Sequence, residues 1–336
     1  MGSVRYRMRV AVVGAGSPLK TEASITRACR SLGCETLHLN VPGTSQWLGP
    51  LAPLLLWRRI AGFHPDLVIL TVRAIRLGEH YLTRIAERFS TAFWYFDYLL
   101  TPDAVKVARL AGSTFVSSTQ HAGHLGAAGV GKVYFMPQGV DPEVDRPPDE
   151  VPESFVCEVS FIGSGQYLVR HDPLRRIAAS ARLQVRGPGW TPRPAGIPVV
   201  GGETRGLPFS QATAGAAICL GLHAYPEQAL GGYSSSNRMW KVLGAGGFFL
   251  GEHSAGIEEF ARDGEHCAWF HSTEEMLARI SHFLGRADER RDIAKAGRAH
   301  ALVQHTYAHR MELMLRGKGY EGTTQTSPLT TPARRR

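Results

Sequence analysis

Two short apolar runs that end in glycine, RVAVVG at Arg9–Gly14 and EVSFIG at 158–163, constrain the fold more than any other feature of this chain. A β-branched run without polar alternation is buried on both faces, as a strand inside a parallel sheet is, and its closing glycine permits a tight turn. Each run opens a series. After the first, strands are expected at 35–40, 66–71, 91–96, 113–118 and 132–136. Helical spacing fits 21–32, a segment within 46–61, 78–89, 102–111 and 120–128. After the second, strands are expected at 182–186, 216–220, 247–250 and 267–270, and helices at 172–181, 237–244, 254–263, 273–284 and 289–315. Alternating strands and helices imply parallel sheets covered by helices on both faces. The expected class is therefore α/β, with two Rossmann-like doubly wound domains facing a cleft.

A chain of 336 residues exceeds what one core usually organises. The segment 141–152 (DPEVDRPPDEVP) is too rich in Pro, Asp and Glu to pack as a strand or a helix interior. The expected division is a first domain at 1–140, a linker at 141–157, a second domain at 158–316 and a mobile tail at 317–336.

The net charge of +9 favours anionic partners. Arg334, Arg335 and Arg336 inflate that figure, and no Lys/Arg block of the nucleic-acid type occurs elsewhere, so a nucleic-acid partner is not expected. The five cysteines are odd in number and lack metal or redox spacing, which suits buried thiols and a cytoplasmic location. Neither a signal peptide nor an unbroken membrane span is expected. The segment 47–63 (WLGPLAPLLLWRRIAGF) is both apolar and basic. It suits a core helix, which Pro50 and Pro53 favour by shortening it, and peripheral contact with the inner face of an anionic membrane stays open as the alternative.

The turn at Gly14 and Gly16 can present backbone amides to a phosphate. Leu19 stands where a dinucleotide fingerprint has its third glycine, so a tight turn opening a cleft is the better reading, and a nicotinamide oxidoreductase rests on these two glycines alone. More informative is 234–247, where small hydroxyl residues including Ser236 precede a helix that begins with Asn237 and Arg238. Helix-start amides and a guanidinium fork both suit a diphosphate. On the first half, Asp97 closes an apolar strand at the face where such folds bind ligands, and is the best acid/base or acceptor-orienting candidate. His121 and His124 follow the next strand at the same edge. His305 and His309 are four apart, but without further ligands no metal is proposed.

Three segments together resemble the CgeB-like branch of GT-B glycosyltransferases: 159–163 followed by Arg170, 236–247, and 256–264. The resemblance covers about 158–315 well and the first half only as pattern. It implies a GT-B architecture, a nucleotide-diphosphate sugar as co-substrate with no other cofactor, and transfer to a small-molecule or glycan acceptor with retention. It puts Gly163, Arg170 and Arg238 near the donor phosphates, and Gly256, Glu258 and Glu259 at the sugar or nucleotide end. Relatives carry two Glu eight residues apart, where this chain has Tyr233 and Lys241. A cation cannot accept hydrogen bonds from ribose hydroxyls, so Lys241 implies a different donor mode. The rival reading is a non-catalytic sugar- or nucleotide-binding protein of the same fold.

Overall fold

The computed structural model describes residues 6–224 and 236–320. The first half holds six parallel strands: β1 (Arg9–Gly14), β2 (Glu35–Asn40), β3 (Leu67–Thr71), β4 (Thr91–Tyr95), β5 (Ser113–Val116) and β6 (Val133–Phe135), in the order β2-β1-β3-β4-β5-β6. The second holds β7 (Cys157–Ile162), β8 (Leu183–Arg186), β9 (Val199–Gly201), β10 (Ala216–Gly221), β11 (Phe249–Glu252) and β12 (Ala268–Phe270), in the order β12-β11-β10-β7-β8-β9. Every strand pair is parallel, as continuous apolar runs require.

Around the first sheet lie helices α1 (Thr21–Ser31), α2 (Val41–Leu48), α3 (Ala52–Phe63), α4 (Glu79–Arg88), α5 (Pro102–Leu110) and α6 (Thr119–Ala127). The second half adds α7 (His171–Ala178), α8 (Leu207–Ala214), α9 (Asn237–Gly244), α10 (Thr273–Leu284), α11 (Ala287–Gln304) and α12 (Tyr307–Leu315). Each sheet has an apolar layer on both faces. In the first, Ala11, Val13, Leu70 and Phe93 pack toward α3 to α5, and Val10, Val12, Ile69 and Trp94 toward α1. No helix among the described residues is long and apolar enough to cross a membrane.

Three expected elements differ, and two unexpected ones appear. The run read as one helix at 289–315 is two: Thr306 caps α12, its hydroxyl accepting from the His309 amide while the His309 ring accepts from the Thr306 amide. This break turns α12 back onto the first sheet, where Tyr307, Met311 and Met314 join the layer of Val12 and Ile25. The helix expected at 254–263 reduces to a 3-10 turn, Ile257–Glu259, because Gly256 sits at φ 80, which ends any preceding helical run. The segment around 46–61 is α2 and α3 joined by a 3-10 turn, each proline falling in a first turn that needs no amide donor. Strand β9 and helix α8 stand where none was expected.

The chain passes between halves at two places that touch. Val140 forms a parallel bridge with Thr306: its amide donates to the His305 carbonyl at 2.8 Å, and the Tyr307 amide donates to the Val140 carbonyl at 2.9 Å.

Candidate active site

In the second sheet the strand order reverses between β7 and β10, and loops leaving two such strands diverge to open a crevice at their carboxyl ends. Gly163 follows β7. A Cβ there would lie 2.5 Å from Arg238 Nη2 and 2.7 Å from Phe161 Cζ, so the backbone passes where no side chain fits. The following turn carries Arg170, buried at the end of a 3-10 turn. Its Nη1 donates to the Ser164 carbonyl at 2.9 Å, Nε to the His223 carbonyl at 3.0 Å and Nη2 to the Leu222 carbonyl at 3.2 Å. Arg238 rises from the first turn of α9, whose start is fixed by the Ser236 hydroxyl accepting from the Arg238 amide. Its Nε donates to the Ile162 carbonyl at 2.5 Å and Nη1 to the Leu222 carbonyl at 3.5 Å. Both guanidinium groups lie over the Phe161 ring, at 5.6 Å for Arg170 and 4.7 Å for Arg238.

Among the described residues neither arginine forms an ion pair; two cations are held side by side on backbone carbonyls. Burial and then repulsion by Arg170 pull the Arg238 guanidinium down to about 9. Burial pulls Arg170 down to about 10, against the neighbouring Tyr167 and Glu252. A dianion seated on the pair would relieve both effects at once, and guanidinium forks match phosphate oxygens bidentately.

The opposing wall comes from the first sheet. A cleft of about 210 Å³ runs between Asp97, His121 and Gln138 on one side and Arg170, His223 and Asn237 on the other. Asp97 lies two residues beyond β4 and opens to this cleft. Enclosure pushes its carboxyl pKa up; Arg73 opposes that, Glu22 adds to it and Lys20 opposes it. His121, in the first turn of α6, is buried, and burial lowers its pKa against a hydrogen bond to the Tyr98 backbone. Its Nδ1 and the Asn237 Oδ1, one from each wall, are buried without a hydrogen-bond partner among the described residues. A second, much smaller cavity of about 20 Å³ adjoins Arg238 and is walled by Glu252, Ser254 and Trp269.

Other expected site residues fall elsewhere. The Gly14 and Gly16 turn is not an anion cradle, because the buried Glu22 carboxylate lies under it, accepting from the Ala15 amide at 3.0 Å and from the Thr71 hydroxyl at 2.8 Å. These glycines serve close packing, since a Cβ at Gly14 would strike Thr71 and one at Gly16 would strike Asn40. Lys241 is corrected from ligand to strut: its Nζ pairs with Asp145 Oδ1 at 3.0 Å, with side-chain exposures of 16% and 3%. His124 is exposed on the outside of α6. Glu258 and Glu259 also point outward, Glu258 toward His253 Nε2 at 3.5 Å, while Ile257 between them walls the smaller cavity. Exposed Gly256 precedes them, outside both cavities' walls. Tyr233 lies outside the described residues. Sequence reasoning missed Glu252, whose Oε2 accepts from the His223 amide at 2.8 Å and so fixes the loop holding both arginines. Its signal is the one used for Asp97, an acid closing an apolar strand. Among the described residues no group of three or more His, Cys, Asp or Glu is placed to hold a metal ion.

Residues 169–316, which contain Arg170, Arg238 and Glu252, match a family model described as Glycosyl transferase-like. A search of the curated proteins gave no match. Among solved structures, HepE of Anabaena in complex with UDP and glucose superposes with a TM-score of 0.64 at 12% identity, over 92% of this chain and 99% of that one. A sucrose-phosphate synthase from Thermosynechococcus elongatus gives 0.64 at 11%, over 92% and 98%. A glycosyltransferase from Rickettsia africae gives 0.62 at 12%, over 92% and 97%. At such identities the likeness is one of fold, and it spans both halves. The chain has the GT-B architecture, and its residues 169–316 match the glycosyl transferase-like family model.

Proposed function

We propose that this protein transfers a sugar from a nucleotide-diphosphate donor to an acceptor that enters the interdomain cleft. The observation that carries the reading is the arginine pair on the Leu222 carbonyl, cationic, buried and without an ion-pair partner among the described residues. As a glycosidic bond breaks, negative charge grows on the leaving diphosphate, and fixed donors already in place stabilise that charge without reorganising. Arg170 and Arg238 supply such donors. Asp97 and His121 on the facing wall would orient or deprotonate the acceptor. A pure binder has no use for that second wall, which favours transfer over mere binding.

A solved neighbour, HepE of Anabaena, has been seen with UDP-glucose, which supports a nucleotide sugar as donor. The pairing of Lys241 with Asp145 removes the usual ribose acceptor, so base and ribose recognition would differ from that of relatives with a glutamate there. The motif order around Gly163, Arg170 and 236–247 supports a CgeB-like branch and retention of anomeric configuration.

The test is a panel of nucleotide-diphosphate sugars, read by thermal shift and by release of free nucleotide. One donor should raise the melting temperature and be turned over by the wild-type chain. Arg238→Ala should fold normally and lose turnover by about 10²- to 10³-fold. Undiminished product formation by that variant would refute the assignment.

A further inference from the structure

The corner between α2 and α3 leaves large apolar side chains outside every core layer. Trp47 is 86% exposed and Leu51 65%, with Leu48 and Leu55 beside them. The opposite face of the same segment is ordinary core, since Ala52, Leu56, Trp57 and Ile60 are buried. The exposed side is therefore not a by-product of poor packing: helical spacing that buries 56 and 60 turns 51 and 55 outward. Arg58 and Arg59 follow Leu55 by three and four residues, on its face, and both are exposed. From Thr36 to Pro65 the chain has no acidic residue. Apolar bulk, a tryptophan and adjacent arginines, without a carboxylate, form a surface complementary to an apolar layer edged by negative charge.

Helix α2 begins where β2 ends, at the carboxyl edge of the first sheet, with the Asn40 side chain capping the Gly43 amide at 3.1 Å and lying against Gly16. The corner thus starts at the same carboxyl edge of the first sheet as the cleft wall at Asp97, with β1 and β3 between.

We infer that the Trp47, Leu51, Leu55, Arg58 and Arg59 face docks this protein onto an anionic lipid bilayer. Trp47 and the leucines enter the headgroup boundary while the two guanidinium groups meet lipid phosphates. The docked cleft then opens beside the membrane, where an acceptor carried on a lipid would present its hydroxyl. Docking stands independently of the transfer reading, since it uses no cleft residue.

The experiment is flotation of the full chain with phosphatidylcholine vesicles and with vesicles that also contain phosphatidylglycerol. Wild type should float with the anionic vesicles and not with the neutral ones. Arg58→Gln/Arg59→Gln should lower partitioning by about 25-fold, roughly fivefold per charge. Trp47→Ala/Leu51→Ala should lower it as strongly. Trp47→Phe should still float but lose the blue shift of tryptophan emission seen on binding. All three variants should keep the wild-type melting temperature, because the altered side chains are exposed. Wild type that fails to float, or variants that float equally well, would overturn the inference. So would a concentration-dependent dimer that Trp47→Ala/Leu51→Ala dissolves without any vesicle binding, since this would assign the face to a second copy.

Discussion

Arg170 and Arg238 donate to the same acceptor, the Leu222 carbonyl, at 3.2 and 3.5 Å, so that two guanidinium groups meet over one aromatic ring with no anion between them. Like charges held this close store an electrostatic cost that an anionic ligand releases. Inorganic pyrophosphate alone should therefore raise the melting temperature of the wild type. It should do so by much less in Arg238→Ala, which keeps only one cation. Equal stabilisation of the two proteins, measured by scanning fluorimetry, would separate the pair from anion binding.

Gly163 should tolerate no side chain. The Cβ of Gly163→Ala would sit 2.5 Å from Arg238 Nη2 and 2.7 Å from the Phe161 ring, and the guanidinium is the softer neighbour. The expected result is a displaced Arg238. Donor turnover should fall at least tenfold, with a stability loss of about 1–3 kcal/mol from overpacking. Denaturant unfolding and initial rates on the same preparation would read both.

The Lys241–Asp145 pair should behave as a structural pair and not as a ligand site. Burial pushes the Asp145 carboxyl up, and Lys241 holds it back down. Removing the cation in Lys241→Met leaves a buried carboxylate, at an expected cost of about 3 kcal/mol. Lys241→Met/Asp145→Asn should recover much of that loss. A double-mutant cycle on unfolding free energies shows the coupling, and additive losses would refute it.

Acid should weaken the junction between the halves. His305 is buried against Arg310, His300, His309 and His266, and burial foremost, then Arg310, pulls its pKa down to about 2. The unfolded chain binds this proton near 6.5 and the folded chain does not. Stability is therefore fully present above about pH 6.5 and is lost progressively as pH falls toward 2. The melting temperature should drop more steeply between pH 7 and 5 in the wild type than in His305→Phe.

Most of the fold was legible because burial on both faces writes itself as uninterrupted apolar sequence. Strands β1 and β2 and helix α9 fall where pattern alone puts them. Strand β9 was not legible: it has three residues, Val200 is half exposed, and Pro198 and Gly202 flank it. Helix α8 mixes Ala, Ser, Thr and Gln, so its periodicity is faint. The break at His305 involves neither glycine nor proline, and its one local sign is the Thr306 cap. In the site, Arg238 could be found because helix starts and arginines have a recognisable affinity for phosphate, whereas Arg170 was reached only through the family resemblance of the motif after Gly163. The burial of Glu22 under Gly14 and the engagement of Lys241 with Asp145 were not legible. Both depend on which way a side chain leaves its helix, and on partners 49 and 96 residues distant.

The contact of Val140 with Thr306 has a mechanical consequence. Because the two strands joining the halves are stitched to each other, the lobes share a single spine, as the covers of a book do. Gly139 stands at that spine with its missing Cβ 2.7 Å from the His305 carbonyl, so bulk added there would prop the covers apart while leaving every residue of the cleft untouched.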